Sequence, residues 1–158
     1  MKKQHNSGFT LIELLLVIGI IAVLAVVVFV ALNPAQRFKD ARDARRVTDM
    51  ETILSAIHTS IVDSKGALPS GLSVGMSEVQ LGSGASGCAI ATGGCNVVAT
   101  ACMNLSTPLA KYLKSMPIDP SSTFTASNSG YSVVVDANGI VTVKACGTEG
   151  ATNLSSSR

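Results

Sequence analysis

The chain has 158 residues, enough for one ordinary domain, and 47% of them are hydrophobic while only 14% are charged. Ordinary soluble domains carry about 25% charged residues, so this composition is too apolar for a simple cytosolic protein and excludes intrinsic disorder. The formal net charge is +2, from 12 basic and 10 acidic residues, which implies no strongly polyanionic partner.

The first predicted element is an apolar helix over residues 9–32. Of these 24 residues, 18 are Leu, Ile, Val or Phe, and Glu13 is the only charged one. A bilayer core of about 30 Å takes roughly 20 apolar helical residues. The insertion gain of roughly 5 to 11 kcal/mol exceeds the cost of one central acid, about 2.5 to 3.5 kcal/mol. The sequence therefore predicts a membrane-spanning segment.

The same segment has two other interpretations. A cleavable secretory signal is the first, but the apolar run exceeds the usual length of about 7 to 15 residues and ends without a small-x-small cleavage site. A plain single-span anchor is the second. Neither accounts for a carboxylate at the start of the run.

A short motif overlaps the start of this helix, where residues 7–17 read SGFTLIELLLV. A short basic leader ends in Gly8, Phe9 follows, and Glu13 is the fifth residue of the run. This arrangement closely resembles the processing site of type IV prepilins and the related pseudopilins. The resemblance implies that a prepilin peptidase cleaves between Gly8 and Phe9 and methylates the new amine of Phe9, so that residues 1–8 are the leader. It also implies a pilin-like fold.

Glu13 has a physical role that can be stated from the residues alone. Cleavage before Phe9 creates an α-amine about one helical turn from the carboxylate of Glu13. Within one helix the two groups are i,i+4 neighbours, whereas in parallel helices displaced by about one turn the amine of one subunit meets the acid of the next. A lone charge in a membrane is costly until it finds a partner, so Glu13 is predicted to set the axial step between subunits. The alternative is a carboxylate that snorkels to the headgroups.

The orientation rules disagree with one another. Two lysines precede the apolar segment and five bases follow it, so the positive-inside rule alone would place the rest of the chain in the cytoplasm. The prepilin-like motif and the cysteines favour the opposite orientation. We therefore expect a single-pass protein of the cytoplasmic membrane with an extracytoplasmic head.

An amphipathic continuation of the helix is predicted over residues 33–64. Pro34 is expected to kink the helix, because proline removes an amide donor and clashes with the preceding turn. Apolar residues then recur at steps of 3 or 4, which predicts that one face packs in the core of the head rather than in a coiled-coil dimer. These residues are Val47, Met50, Leu54, Ile57 and Ile61.

Residues 37–51 of this continuation contain five bases and four acids. We interpret them as a solvated face with i,i+4 pairs such as Lys39 with Asp43 and Arg45 with Asp49. A nucleic-acid-binding patch is the alternative. The balanced charge and the 4% aromatic content of the chain argue against nucleic acid as a partner without excluding it.

Residues 65–158 are predicted to form the head. Residues 65–94 hold eight of the 14 glycines, which predicts a surface loop region with short strands. A short helix is predicted over residues 105–116, capped by Ser106 or Thr107.

The end of the chain carries the clearest strand signal. Residues 131–135 and 140–143 are rich in β-branched residues and flank a turn sequence, which predicts a hairpin across Asn138-Gly139. A third strand is expected from the glycine-rich region or near Phe124, because two strands alone are marginal. The predicted fold class is α+β, with a long N-terminal helix, half membrane-spanning and half amphipathic, packed against a small antiparallel sheet.

Four cysteines form an even set: Cys88, Cys95, Cys102 and Cys146. Two disulfides are predicted for an exported head, with three pairings open. We favour Cys88 with Cys95 and Cys102 with Cys146. A four-cysteine zinc site is the rival, but the spacings lack a C-x2-C knuckle, so no metal and no cofactor is predicted.

The sequence as a whole predicts a filament subunit and not an enzyme; no catalytic residue is identified, and His58 is interpreted as structural or exposed. The apolar helix would rest in membrane lipid and then bundle with copies of itself in a cell-surface or periplasmic filament. By resemblance, the partners are a prepilin peptidase, a membrane assembly platform and a cytoplasmic assembly ATPase. A pseudopilin of type II secretion or DNA uptake is the alternative within the family. A membrane-tethered extracytoplasmic enzyme or binding module is the alternative of another class, and it would require a well-formed pocket with perturbed titratable groups.

Overall fold

The computed structural model describes residues 8–150 and 153–158, so all of the predicted leader except Gly8 lies outside the described residues. The chain divides into two compact units, one ending at Phe38 and the other running from Lys39 to Arg158. Each unit is described here by itself.

Two helices follow one another at the start of the chain. Helix α1 is Leu11–Leu32 and helix α2 is Pro34–Asp63. The single residue between them, Asn33, has a φ of 39°, in the left-handed region that asparagine tolerates better than most residues. The cause is local: the residue before a proline is driven out of the right-handed helical region, while Pro34 suits the first position of a new helix.

Helix α1 buries none of its residues within the chain. The helical run Leu11–Asp63 contains an 18-residue window with a mean hydropathy of 3.4, and none of that window is buried. Among residues 8–150 and 153–158, this run is the only one long and apolar enough to cross a membrane.

The head contains a four-stranded antiparallel sheet in the order β1-β2-β3-β4. The strands are β1 (Val79–Gln80), β2 (Tyr131–Val135), β3 (Val141–Ala145) and β4 (Leu154–Ser157). The predicted α+β class is confirmed, and so is a third strand from the glycine-rich region. Strand β4 was not predicted, because a Leu-Ser-Ser-Ser segment has little intrinsic strand preference and depends on pairing with β3.

The hairpin between β2 and β3 is closed by a loop around Asp136. The N–H of Gly139 donates to the carbonyl of Asp136 at 3.1 Å, and the N–H of Asp136 donates to the carbonyl of Ile140 at 3.0 Å. Gly139 has a φ of 84°, so glycine is needed at the last loop position rather than inside a two-residue turn. The carboxylate of Asp136 accepts from the N–H groups of Asn138 and Ile140 and holds the loop.

The core of the head lies between α2 and the sheet. Met50, Ile53 and Ile57 of α2 are at most 1% exposed and belong to one apolar cluster with the inward residues of β2 and β3. The prediction that the apolar stripe of α2 is core packing is therefore confirmed from Met50 onward. Val47, at the start of the stripe, is 37% exposed.

The short helix predicted over residues 105–116 is wrong. This segment forms successive turns, in which the N–H of Leu109 donates to the carbonyl of Leu105 and that of Leu113 to Leu109. Pro108 lacks an amide donor, and Leu105 and Leu109 are both fully buried in the core cluster. Burial of these two leucines therefore holds the segment in place, although its backbone hydrogen bonds do not continue from turn to turn as in a helix.

Both predicted disulfides form, but the favoured pairing is wrong: the bonds are Cys88–Cys102 and Cys95–Cys146. The reason is a small antiparallel pairing: the N–H of Ile90 donates to the carbonyl of Val97 at 3.0 Å, and the N–H of Val97 donates to the carbonyl of Ile90 at 2.8 Å. This pairing brings the two ends of the segment together, so that Cys88 meets Cys102. Its tip, at Gly93, lies against the backbone of Cys146, so that Cys95 meets that residue.

Candidate functional site

The residues of the N-terminal motif form a capping box at the start of α1. Thr10 is the N-cap, and its hydroxyl accepts from the N–H of Glu13 at 3.3 Å. In return the carboxylate of Glu13 accepts from the N–H of Thr10 at 2.9 Å and from its hydroxyl at 2.7 Å. The acid at the fifth position of the run thus satisfies donors at its own helix terminus, where a negative charge is also favoured by the helix dipole.

The predicted cleavage point precedes this cap. No described atom lies within 4 Å of the position that a side chain would occupy at Gly8, and Phe9 is 77% exposed. A helical backbone would hide its peptide groups in intrahelical hydrogen bonds, but Gly8 and Phe9 lie outside α1. Nothing among the described residues therefore covers the peptide bond between Gly8 and Phe9, and a peptidase could reach it.

Helix α1 itself offers an apolar surface on all sides. Its leucine, isoleucine, valine and phenylalanine side chains are 44% to 80% exposed. An all-round apolar helix is expected only in a membrane or in the centre of a larger assembly. Its partner is accordingly lipid or protein outside this chain.

A second polar arrangement, which we call the Arg46 cluster, consists of Arg46, Asp119, Asp43, Glu149 and Arg42. Arg46 is completely buried, and its guanidinium donates to both carboxylate oxygens of Asp119 at 2.6 and 2.8 Å. It also donates to Asp43 at 2.7 Å and to Glu149 at 3.2 Å. The cluster joins α2 to residues 117–120, which read Pro-Ile-Asp-Pro, and to the chain after β3.

The charges of the Arg46 cluster stabilise one another. Burial alone would lower the pKa of Arg46, but its hydrogen bonds to the carboxylates of Asp119 and Asp43 outweigh that effect and raise the pKa. Hydrogen bonds from Arg42, and then from Arg46, lower the pKa of Glu149 to about 2. The N–H groups of Glu149 and Gly150 donate to Asp43 at 3.2 and 2.6 Å, so the backbone takes part as well. Arg46, Arg42 and Glu149 are therefore all charged at neutral pH.

Sequence reasoning missed the Arg46 cluster. The interpretation of residues 37–51 as a solvated face is wrong for Arg46 and Asp43, which are buried. The predicted i,i+4 pair of Arg45 with Asp49 is present, at 3.7 Å. No spacing in the sequence connects Arg46 with Asp119 or Glu149, which are 73 and 103 residues away, so the cluster could not be predicted.

The titratable groups outside the Arg46 cluster are not arranged as a catalytic or metal site in the described part of the head. The hydroxyl of Tyr131 donates to Asp49 at 2.8 Å, and Asp63 accepts from Lys111 and from the hydroxyl of Tyr112, both at 2.9 Å. The Nε2 atom of His58 is buried and has no hydrogen-bond partner among the residues that the structure describes. Residues 8–150 and 153–158 contain no group of three or more His, Cys, Asp or Glu arranged to hold a metal ion.

A comparison with protein-family models matches residues 3–29 to the prokaryotic N-terminal methylation motif. The chain carries a prepilin signature. The matched residues include the capping box and more than half of α1, and the motif is that of type IV pilins and pseudopilins. Searches of curated proteins and of solved structures gave no match. The rest of the prepilin-like chain, including the head, is therefore interpreted from its own geometry.

Proposed function

We propose that this protein is the structural subunit of a type IV pilus-like filament, processed by a prepilin peptidase and assembled through its N-terminal helix. The single observation that carries the proposal is the methylation motif joined to a helix that buries none of its residues. A helix this apolar needs partners on every side. Lipid supplies them before assembly, and the α1 helices of other copies supply them afterwards.

The proposed processing occurs between Gly8 and Phe9, with methylation of the new amine of Phe9. Both residues lie outside α1, and the exposed Phe9 supports access by a membrane peptidase. The apolar surface of α1 and the motif support insertion in the cytoplasmic membrane, with the head outside. Two disulfides in the head suit an oxidising compartment. The membrane assembly platform and cytoplasmic ATPase of such systems would supply the work of extraction.

Glu13 is proposed to change partners on assembly. Before assembly its carboxylate is occupied by the backbone N–H and hydroxyl of Thr10, which lowers the cost of an acid inside the membrane. In the filament a second copy, displaced by about one helical turn, brings the amine of its Phe9 to the same carboxylate. A cation paired with this acid in an apolar bundle fixes the axial step, because any other displacement leaves a buried charge without a partner.

The alternative within the family is a pseudopilin of a secretion or DNA-uptake system, and it uses the same motif and helix. A tethered enzyme or binding module is less well supported. A cavity of about 540 Å³ in the head includes Phe124, Asn128 and Glu149 in its lining, but the low pKa of Glu149 is explained by its arginine partners. A perturbed group with structural partners gives no indication of catalysis.

Processing is tested by mass spectrometry of the protein from cells that contain a prepilin peptidase. A chain that starts at methylated Phe9 is expected; a chain that keeps its first eight residues contradicts the proposal. Gly8→Val should block cleavage. Gly19→Ala is the matched control, because neither glycine has a described neighbour within 4 Å, and it should be processed normally.

The role of Glu13 is tested by Glu13→Gln. Glutamine also completes a capping box, so the variant should keep the cap, processing and membrane insertion, whereas it lacks the charge needed by the amine of Phe9. We expect at least a tenfold loss of filaments, measured in sheared fractions against the membrane pool. Glu13→Ala, which loses both the charge and the cap, should assemble no better. Normal filaments from Glu13→Gln would show that the charge pair is not required.

A further inference from the structure

The further inference concerns another cavity of the head, and it does not depend on the proposed filament function. We call it the Lys114 cavity, and its volume is about 360 Å³. It is lined by parts of four segments, which are residues 82–83, 104–106, 114–118 and 126–129. Small-molecule sites typically have volumes of about 300 to 1,000 Å³, so the cavity is large enough for a small ligand.

The charge of this cavity is positive. Among the described residues that line it, Lys114 is the only charged one, and its ammonium group has no ion pair or hydrogen bond to any of them. Asp119, the nearest acid along the chain, does not neutralise Lys114, because both of its carboxylate oxygens accept from Arg46. The cavity of about 540 Å³ near Phe124 differs, since its one charged lining residue is Glu149. The Lys114 cavity therefore favours an anion.

A buried hydroxyl group in the lining also lacks an acceptor. Ser129 is 1% exposed, and its hydroxyl oxygen accepts from the N–H of Tyr131 at 3.3 Å. Its hydroxyl hydrogen has no acceptor in the part of the chain that the structure describes. The backbone of Ser129 is held in place, because its N–H donates to Leu81 and its carbonyl accepts from the N–H of Asp119, each at 2.9 Å. A buried donor without an acceptor is costly, and a ligand oxygen in the cavity would satisfy it.

Three further side chains of the lining can donate hydrogen bonds. The side-chain carbonyl of Asn104 accepts from the N–H of Ser106 at 2.9 Å, so the amide nitrogen of Asn104 remains as a donor. The hydroxyl groups of Ser106 and Ser115 have no hydrogen-bond partner among the described residues. Met116 and Ile118 add an apolar wall. The cavity thus combines one cation, several neutral donors and an apolar surface.

We propose that the Lys114 cavity binds a phosphate group, either as free phosphate or as the phosphate monoester of a small organic ligand. Lysine is a compact cation that binds phosphate as a point charge, and the tetrahedral phosphate presents oxygens to donors on several sides. A carboxylate has only two oxygens, so it would leave more of these donors without an acceptor. The apolar wall favours the monoester, because it would contact an organic group that free phosphate lacks.

Binding is tested on the full chain in an uncharged detergent, by amide NMR spectra recorded during titration with glycerol 3-phosphate, inorganic phosphate or acetate. We expect saturable shifts at Lys114, Ser115 and Ser129 with inorganic phosphate or glycerol 3-phosphate, and binding of acetate that is weaker by at least about fivefold. Tighter binding of glycerol 3-phosphate than of inorganic phosphate identifies an organic monoester as the ligand, and equal or weaker binding identifies free phosphate. The absence of saturable shifts at these residues, or acetate binding as tight as that of phosphate, overturns the proposal.

A pair of lysine variants shows whether the phosphate binds in this cavity. Lys114→Gln should weaken phosphate binding at least about tenfold, because it removes the one cation of the lining. Lys65→Gln is the matched control: Lys65 is also exposed and has no ion pair among the described residues, but it does not line the cavity, so the affinity should be unchanged. Equal losses of affinity in the two variants would show a nonspecific attraction to net charge. Unchanged affinity in Lys114→Gln would show that phosphate binds elsewhere, and either result overturns the proposal.

Discussion

Helices α1 and α2 follow one another in the chain, yet they obtain their stability in different ways. Helix α1 has 22 residues, nearly all apolar, and buries none of them within the chain. Helix α2 is polar on average, yet it buries eight residues, among them an arginine and an aspartate. The hydrophobicity of a segment therefore does not tell where its partner lies. The partners of α1 lie outside the chain, and those of α2 lie inside it.

The difference also concerns charge. The one acid of α1, Glu13, is satisfied by Thr10 of its own terminus, which leaves the helix free to exchange one apolar environment for another. The charges of α2 are instead tied to distant parts of the head through the Arg46 cluster. This arrangement suits a subunit whose first helix changes neighbours while its head keeps one structure. Substituting a residue that has its partners inside the head should therefore cost more unfolding free energy than substituting one that does not.

The largest effect is expected from Arg46→Ala. The change leaves the buried Asp119 and Asp43 without their cation, and breaking a buried ion pair costs about 3 to 5 kcal/mol. Arg45→Ala, one residue earlier, removes a surface arginine whose side chain is 64% exposed and should cost less than about 1 kcal/mol. Urea unfolding in mild detergent, followed by tyrosine fluorescence, measures both changes, since the two tyrosines belong to the head and the chain has no tryptophan.

Equal losses of unfolding free energy in Arg46→Ala and Arg45→Ala would contradict this account. They would show that the Arg46 cluster contributes no more to the head than an exposed pair does. The protein should be studied with its disulfides intact, so that the two variants differ only at the arginine.

The sequence was sufficient for the elements whose signals are local. The apolar run of α1, the interruption before Pro34, and the hairpin with Gly139 at a left-handed position all follow from short-range patterns. The stripe of α2 was also predictable, since the spacing of Met50 and Ile57 places both on one helical face.

Features that depend on distant residues could not be predicted. Arg46 contacts Asp119 and Glu149, which are 73 and 103 residues away, and no spacing rule connects them. The disulfide pairing failed for the same reason, because the short pairing of Ile90 with Val97 decides which cysteines meet. At the candidate site, the motif predicted Gly8, Phe9 and Glu13 as the functional residues, whereas the cap by Thr10 became apparent only from the geometry.

The next prediction compares one residue type on the two helices. Ile57→Ala removes a side chain that is fully buried between α2 and the sheet, and it should cost about 2 to 5 kcal/mol of unfolding free energy. Ile20→Ala changes a residue of α1 that is 53% exposed, and it should change the same quantity by less than about 0.5 kcal/mol. The urea titration described for Arg46 measures both. A loss of more than about 1 kcal/mol in Ile20→Ala would mean that α1 contributes to the stability of the monomeric head.

The smallest expected effect is the change of the unfolding free energy of the head with pH, through the carboxylate of Glu149. The pKa of Glu149 is about 2 in the folded protein and near 4.5 as the ordinary value, so the carboxylate binds a proton less readily in the folded state. The stabilisation is therefore complete above about pH 4.5 and is lost as the pH falls toward 2. Glu149→Gln should make the unfolding free energy depend less steeply on pH over this interval. Glu51→Gln alters an exposed acid that has no ion-pair partner in the described residues, so it should leave the slope of unfolding free energy against pH unchanged. Unfolding titrations at pH 2.5, 3.5, 4.5 and 6 would measure the slopes; an equal slope in Glu149→Gln and the unaltered protein would show that the partners of Glu149 do not stabilise the fold through its charge.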